Sequence, residues 1–123
     1  MSFFPEDKIG ICYIIKMKLK PNGSNGGEPI VVYKIGVTHR SINERLAEIV
    51  MAFFNVYRYI PETSLVRFTK SSNYLTMEKN LHRKYSKHKY SFDKSFVGYS
   101  EFFEFDDETC SLLVQKYTEL LVV

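Results

Sequence analysis

The sequence predicts a small α+β domain: an antiparallel or mixed sheet flanked by helices, in the order ββαβαβα. Three observations lead there. Two runs rich in β-branched and aromatic residues lie either side of a Pro/Asn/Gly loop. Apolar residues then recur at helical spacing in two later segments, each preceded by serine. Finally, the 123 residues contain no linker, internal repeat or composition break, so residues 1–123 read as a single domain with one modest core.

The elements follow in order. "IGICYIIKMKL" (Ile9 to Leu19) is a strand, and "PNGSNGGEP" (Pro21 to Pro29) supplies residues that accept reversal angles. "IVVYKIGVT" (Ile30 to Thr38) is a second strand, so the pair makes an antiparallel hairpin. In "SINERLAEIVMAFF" Ser41 and Glu44 form a capping-box pattern, and Ile42, Leu46, Ile49, Val50 and Phe53 share a face. Pro61 and Glu62 break the chain before a short strand, Ser64 to Thr69. Ser71 or Ser72 caps a helix over Asn73 to His88, whose inward stripe is Tyr74, Leu81 and Tyr85. "FVGYSEFFEF" reads as a turn and a strand ending near Phe105, and Asp106 or Asp107 caps a last helix, "DETCSLLVQKYTELL".

Composition excludes several classes. No apolar run approaches the ~20 residues that span a bilayer, and the start lacks a signal-peptide pattern. Cys12 and Cys110 sit in apolar-patterned segments without metal-ligand spacing, so they read as reduced core thiols of a cytoplasmic protein, with a bridge between them as the alternative. Net charge is only +3, but "KNLHRKYSKHKYSFDK" (Lys79 to Lys94) holds six Lys or Arg and two His against one acidic residue. With aromatics interleaved, the run reads as a phosphate-facing surface or as a solvated helix face.

Five positions fit a plain core poorly. Tyr13 is mid-strand, as a packing residue with its hydroxyl at the surface or as part of a site. Alternation puts Val32, Lys34 and Gly36 on one face, either solvent-facing or functional, and Gly36 leaves room for close approach. Arg45 lies on the flank of its helix stripe, where a snorkelling arginine also sits. Glu78 and His82 stand four residues apart, the spacing of a surface pair or of a one-metal or acid/base pair.

Taken together, these residues resemble the GIY-YIG nuclease superfamily, and within it the bacteriophage-associated T5orf172 branch. "ICY" (Ile11 to Tyr13) and "KIG" (Lys34 to Gly36) stand at the two signature strands, with Lys for the usual Tyr. Arg45 in "ERL", "MEKNLHRKY" (Met77 to Tyr85) and "SEFFEF" (Ser100 to Phe105, with Phe102 for Trp) follow in the family's order. The loop between the signature strands is long, and a late Asn found in some members has no counterpart.

The resemblance implies a metal-dependent DNA endonuclease of phage or mobile-element type, site-specific and acting in the bacterial cytoplasm. Glu78 would hold Mg²⁺ (or Mn²⁺), and Tyr13 would orient or deprotonate the attacking water. Its free pKa near 10 requires a neighbouring cation, for which Lys34 is the expected residue. Arg45 would clamp the scissile phosphate and His82 would transfer protons or touch phosphate. His39, Arg40, Arg83, Lys84 and Lys87 would contact the DNA backbone, and Glu101 would be structural. One active site per domain predicts a single-strand nickase. With no room for a targeting domain, the resemblance implies that the domain reads DNA itself, or works as a homodimer or with a separate partner. Two other readings fit the same sequence: a non-catalytic nucleic-acid-binding or regulatory module, and a host-directed interaction protein.

Overall fold

The computed structural model describes residues 9–20 and 29–105, together with Glu108, Thr109, Ser111, Leu112 and Gln115. Strand β1 (Gly10–Leu19) is buried without interruption from Gly10 to Ile15 because it is covered on every side. It lies between β2 (Ile30–Thr38) and β3 (Glu62–Ser71), and short β4 (Phe102–Phe103) closes the order β3-β1-β2-β4. Every pairing is antiparallel, so of the two sheet types expected the antiparallel one is found.

A strand buried on both faces reads as a continuous apolar run, as β1 does. Its alternate residues serve two cores. Cys12 and Ile14 join Tyr33, Ile35, Tyr74, Met77 and Leu81 under α2 (Tyr74–Lys84). Tyr13, Ile15 and Met17 join Val32, Ile49, Phe53 and Phe102 under α1 (Ile42–Tyr57). Phe53 anchors the second core, stacked on Tyr57 at 4.7 Å and edge-on to Tyr59 at 5.2 Å and Phe96 at 5.7 Å. Truncating so enclosed a ring costs about 3–5 kcal/mol.

Local chemistry sets the boundaries. Ser41 Oγ accepts from the Glu44 N–H at 3.2 Å, which starts α1 as expected. The helix passes Phe54 and stops at Arg58: its N–H still bonds the Phe54 carbonyl at 2.8 Å, but its left-handed backbone (φ 64°) turns the chain off the helix. The cap of α2 is Asn73, without a side-chain bond; Ser71 Oγ instead accepts from Asn73 N–H at 3.0 Å. That helix ends at Lys84, short of the expected His88, and a 3₁₀ turn (Ser86–His88) follows. Strand β3 is longer than expected and bulges where it passes Ile14 and Ile15. Strand β4 is shorter, after a second 3₁₀ turn at Tyr99–Glu101. Helical backbone occurs at the five described positions after Asp107, but the remainder of the expected last helix, Cys110 and residues 21–28 of the hairpin loop lie outside the described residues.

Candidate active site

Tyr13 and Gly36 are directly opposite in the β1–β2 ladder. The Tyr13 ring bends across Gly36 so closely that a Cβ there would stand 2.5 Å from the phenolic oxygen. The room that Gly36 leaves is therefore filled by Tyr13 itself. From the helix above, Arg45 Nε donates to the Tyr13 hydroxyl at 3.1 Å. Burial pushes the phenol up to about 12, against the pull of Arg45. Tyr13 is thus a neutral phenol at physiological pH, with its own proton left to donate. The cation on Tyr13 is Arg45 and not Lys34, because the helix flank projects its fork onto β1 while Lys34 is engaged elsewhere.

Lys34 pairs with Ile15 on one side and Phe102 on the other. The turn at Gly98, Glu101 and the Phe102 ring close over it, so the side chain is 0% exposed, which removes the solvent-face alternative. The ammonium binds the Glu101 carboxylate and lies 5.5 Å from the Phe102 ring centre. Space for it comes from Gly98, in the left-handed region at φ 86°, where a Cβ would fall 2.8 Å from Lys34 Nζ. Burial lowers the lysine's pKa and Glu101 opposes that shift. Glu101, expected to be structural, is thus the counter-ion of a fully buried cation. Its place just before "FF" was the available sequence signal.

Glu78 and His82 approach from α2. On β2, strand β4 pairs with Tyr33 and Lys34, while its Phe103 also bridges Lys89. Past Lys34, His82 takes over the edge: its Nε2 is 2.8 Å from the Ile35 carbonyl, and its ring is edge-on to Phe103 at 5.1 Å. A carbonyl only accepts, so Nε2 carries the proton and Nδ1 is the nitrogen left for proton transfer. Glu78 makes no hydrogen bond or ion pair among the described residues. Burial, then repulsion from Glu101, raises its pKa, while His82, Lys34 and Lys79 pull it down. Its field reaches Tyr13 and Lys34 as well. Tyr13, Lys34, Arg45, Glu78 and His82, from four elements, therefore converge on one region.

No group of three His, Cys, Asp or Glu side chains among the described residues forms a metal cage. A hard divalent cation needs none, since Mg²⁺ is usually held by one or two carboxylates, water and substrate phosphate. The unbonded, half-buried carboxylate of Glu78 fits that requirement.

The expected DNA contacts divide. Exposed His39 and Arg40 follow β2 at the mouth of a cleft of about 380 Å³, which Ser41, Lys70, Gly10 and Ile11 also line. His39 Nε2 is 2.5 Å from the Tyr74 hydroxyl. Arg40 pairs with Glu48, which also binds Arg45 at 3.2 Å. Arg83, Lys84 and Lys87 are exposed. At 100° per residue, however, Arg83 points opposite the inward stripe of α2 and Lys84 lies on the flank away from Glu78. Lys84 covers Tyr85 instead, its Nζ 5.6 Å from the ring centre. Lys79, not among the expected contacts and next to Glu78 in sequence, acts on Glu78 alongside His82 and Lys34.

No curated protein and no solved structure matches the chain. A family model, the T5orf172 domain, matches residues 10–118, a span that holds all five converging side chains. That domain is nuclease-associated and suggests a nuclease-like or DNA-binding module. With nearly its whole length matched, the chain belongs to the T5orf172 domain family.

Proposed function

We propose that this protein is a divalent-metal-dependent DNA endonuclease of the GIY-YIG type, hydrolysing phosphodiester bonds one strand at a time. The supporting observation is the convergence of a phenol, a guanidinium, a buried ammonium and an unbonded carboxylate, held by four different elements.

A phosphodiester brings negative charge that grows on its equatorial oxygens as water attacks. Arg45 presents a planar fork to those oxygens, already oriented by Tyr13 and Glu48. Tyr13, neutral and accepting from Arg45, donates its own proton toward the attacking water or a phosphoryl oxygen and so fixes the line of approach. Lys34 adds positive charge at fixed depth, without the entropy cost of a mobile surface lysine. His82 offers Nδ1 to the proton that the water loses. A divalent cation on Glu78 would supply neutralisation of charge at the leaving oxygen. His39, Arg40 and Lys70 contribute sequence-independent contact to neighbouring phosphates. A site-specific phage or mobile-element role, in the cytoplasm of a bacterial host, fits the family's bacteriophage association. Double-strand cleavage would require two sites, in a homodimer or with a partner, or sequential nicks.

The test is incubation of the purified protein with supercoiled plasmid, phage DNA and host genomic DNA, in Mg²⁺ or in EDTA. Open circles or discrete fragments in Mg²⁺ alone are expected. A protein that binds all three DNAs and cuts none in Mg²⁺ or Mn²⁺ is a binding module instead.

A further inference from the structure

A scissile phosphate on Arg45 must be continued by a nucleoside on each side, and the surface of α1 offers a place for one. Arg45, Glu48, Ala52 and Asn55 fall on one ridge of the helix, at steps of three and four residues. This ridge, with Met51 and Val97, walls a cleft of about 420 Å³ that has Arg40 and Arg45 at one end. Its volume falls in the range of small-molecule sites, roughly 300–1,000 Å³.

The lining is divided by chemistry. Toward Tyr13 it is charged: two arginines against Glu48, a net positive end. Away from Tyr13 it is apolar, and two of its side chains are left in water, Met51 at 53% and Val97 at 76% exposure. One turn beyond Met51 on α1, Asn55 is exposed, and its amide makes no hydrogen bond among the described residues. Cationic at one end, apolar along the walls, with a free amide carrying both donors and acceptors: these match the phosphate, the faces of sugar and base, and the base edge.

We propose that this cleft is a nucleoside subsite, holding the nucleotide next to the scissile phosphate, with Asn55 as the residue that reads its base. The proposal rests on Arg45 binding the scissile phosphate. Val97 directly precedes Gly98, whose backbone makes room for Lys34. The far wall of the subsite and the buried ammonium therefore belong to one turn, and base and phosphate are registered against the same segment.

The experiment is an NMR titration of isotope-labelled protein with each of the four deoxynucleoside 5′-monophosphates and, separately, with 2-deoxyribose 5-phosphate, which lacks the base. The nucleotides are expected to shift the Met51 and Ala52 methyl groups and the Asn55 side-chain amide together with Arg45. The abasic probe is expected to shift Arg45 and leave Met51 and Asn55 in place. Met51→Ser should weaken nucleotide binding about fivefold, from the apolar area lost, and leave abasic binding unchanged. Asn55→Ala should narrow the differences in affinity among the four nucleotides. Equal shifts at Arg45 from both kinds of probe, with Met51 and Asn55 silent, would overturn the subsite and leave Arg45 as a phosphate ligand. Silence at Arg45 as well would remove the endonuclease reading with it.

Discussion

Replacing Glu101 with Gln should destabilise the fold, although Glu101 itself is partly in water. The change keeps a carbonyl oxygen beside Lys34 but removes its counter-charge, leaving a fully buried ammonium. Breaking one side of a buried pair costs about 3–5 kcal/mol, and the one-third exposure of Glu101 argues for the lower end, about 3 kcal/mol. The cost also has a ceiling, because Lys34 can shed its proton instead. From an ordinary pKa near 10.4, deprotonation at pH 7 costs roughly 4.6 kcal/mol, and at pH 9 only about 1.9 kcal/mol. The deficit should therefore shrink as pH rises. Lys34→Met, an apolar chain of similar length, should cost little, since its orphaned partner Glu101 can be hydrated. The double variant should match Lys34→Met alone. Urea unfolding of the four proteins at pH 7 and pH 9 reads all of this, with a fall of roughly 10 °C in Tm for Glu101→Gln as a parallel measure. A Glu101→Gln protein within 0.5 kcal/mol of wild type at pH 7, or a deficit that grows with pH, would refute the assigned pairing.

Three further outcomes are expected. Because burial and Glu101 raise the Glu78 pKa, ionised Glu78 weakens the fold above its titration, so Glu78→Gln should melt higher than wild type at pH 7 and equal to it at pH 4; a lower melting point at pH 7 would show Glu78 making a stabilising contact. For Tyr13, raised to about 12, the stabilisation is fully present below pH 10 and lost as pH climbs to 12. The stability gap between wild type and Tyr13→Phe should narrow by up to about 3 kcal/mol across that interval, and absorbance at 295 nm should show one late-titrating tyrosine fewer in the variant. Gly36→Ala places a methyl group within 2.5–3.1 Å of three Tyr13 atoms, so it should cost about 1–3 kcal/mol and sharply reduce DNA cleavage; a fully active variant would detach the Tyr13 position from catalysis.

Much of the framework was legible because its signals are local. Alternation in "IVVYKIGVT" separated Lys34 and Gly36 from Tyr33 and Ile35, and the Ser41 cap fixed the start of α1. The flank position of Arg45 marked it as neither core nor open surface. What was not legible depended on pairings between distant residues. Nothing around Lys34 names Glu101, 67 positions away, nor says that the turn at Gly98 would close over the ammonium. The partner of Tyr13 was misjudged for the same reason: strand adjacency favoured Lys34, whereas the helix crossing delivers Arg45. The basic run misled in another way. Its charges are consecutive in sequence, but a helix spreads them round its circumference, and Lys79 rather than Lys84 ends near Glu78. The helix boundary at Lys84 also escaped, since no Gly or Pro stands there to mark it.

The claim that these side chains form one phosphodiester-cleaving centre is tested most directly with Glu78→Gln, which should fold at least as well as wild type. Wild type and variant would be compared on the same DNA in Mg²⁺, for binding by fluorescence anisotropy and for cleavage by gel. The account predicts DNA affinity within about threefold of wild type and cleavage reduced at least 1,000-fold, about 4 kcal/mol of transition-state stabilisation. A folded Glu78→Gln protein that cuts DNA at the wild-type rate would contradict it.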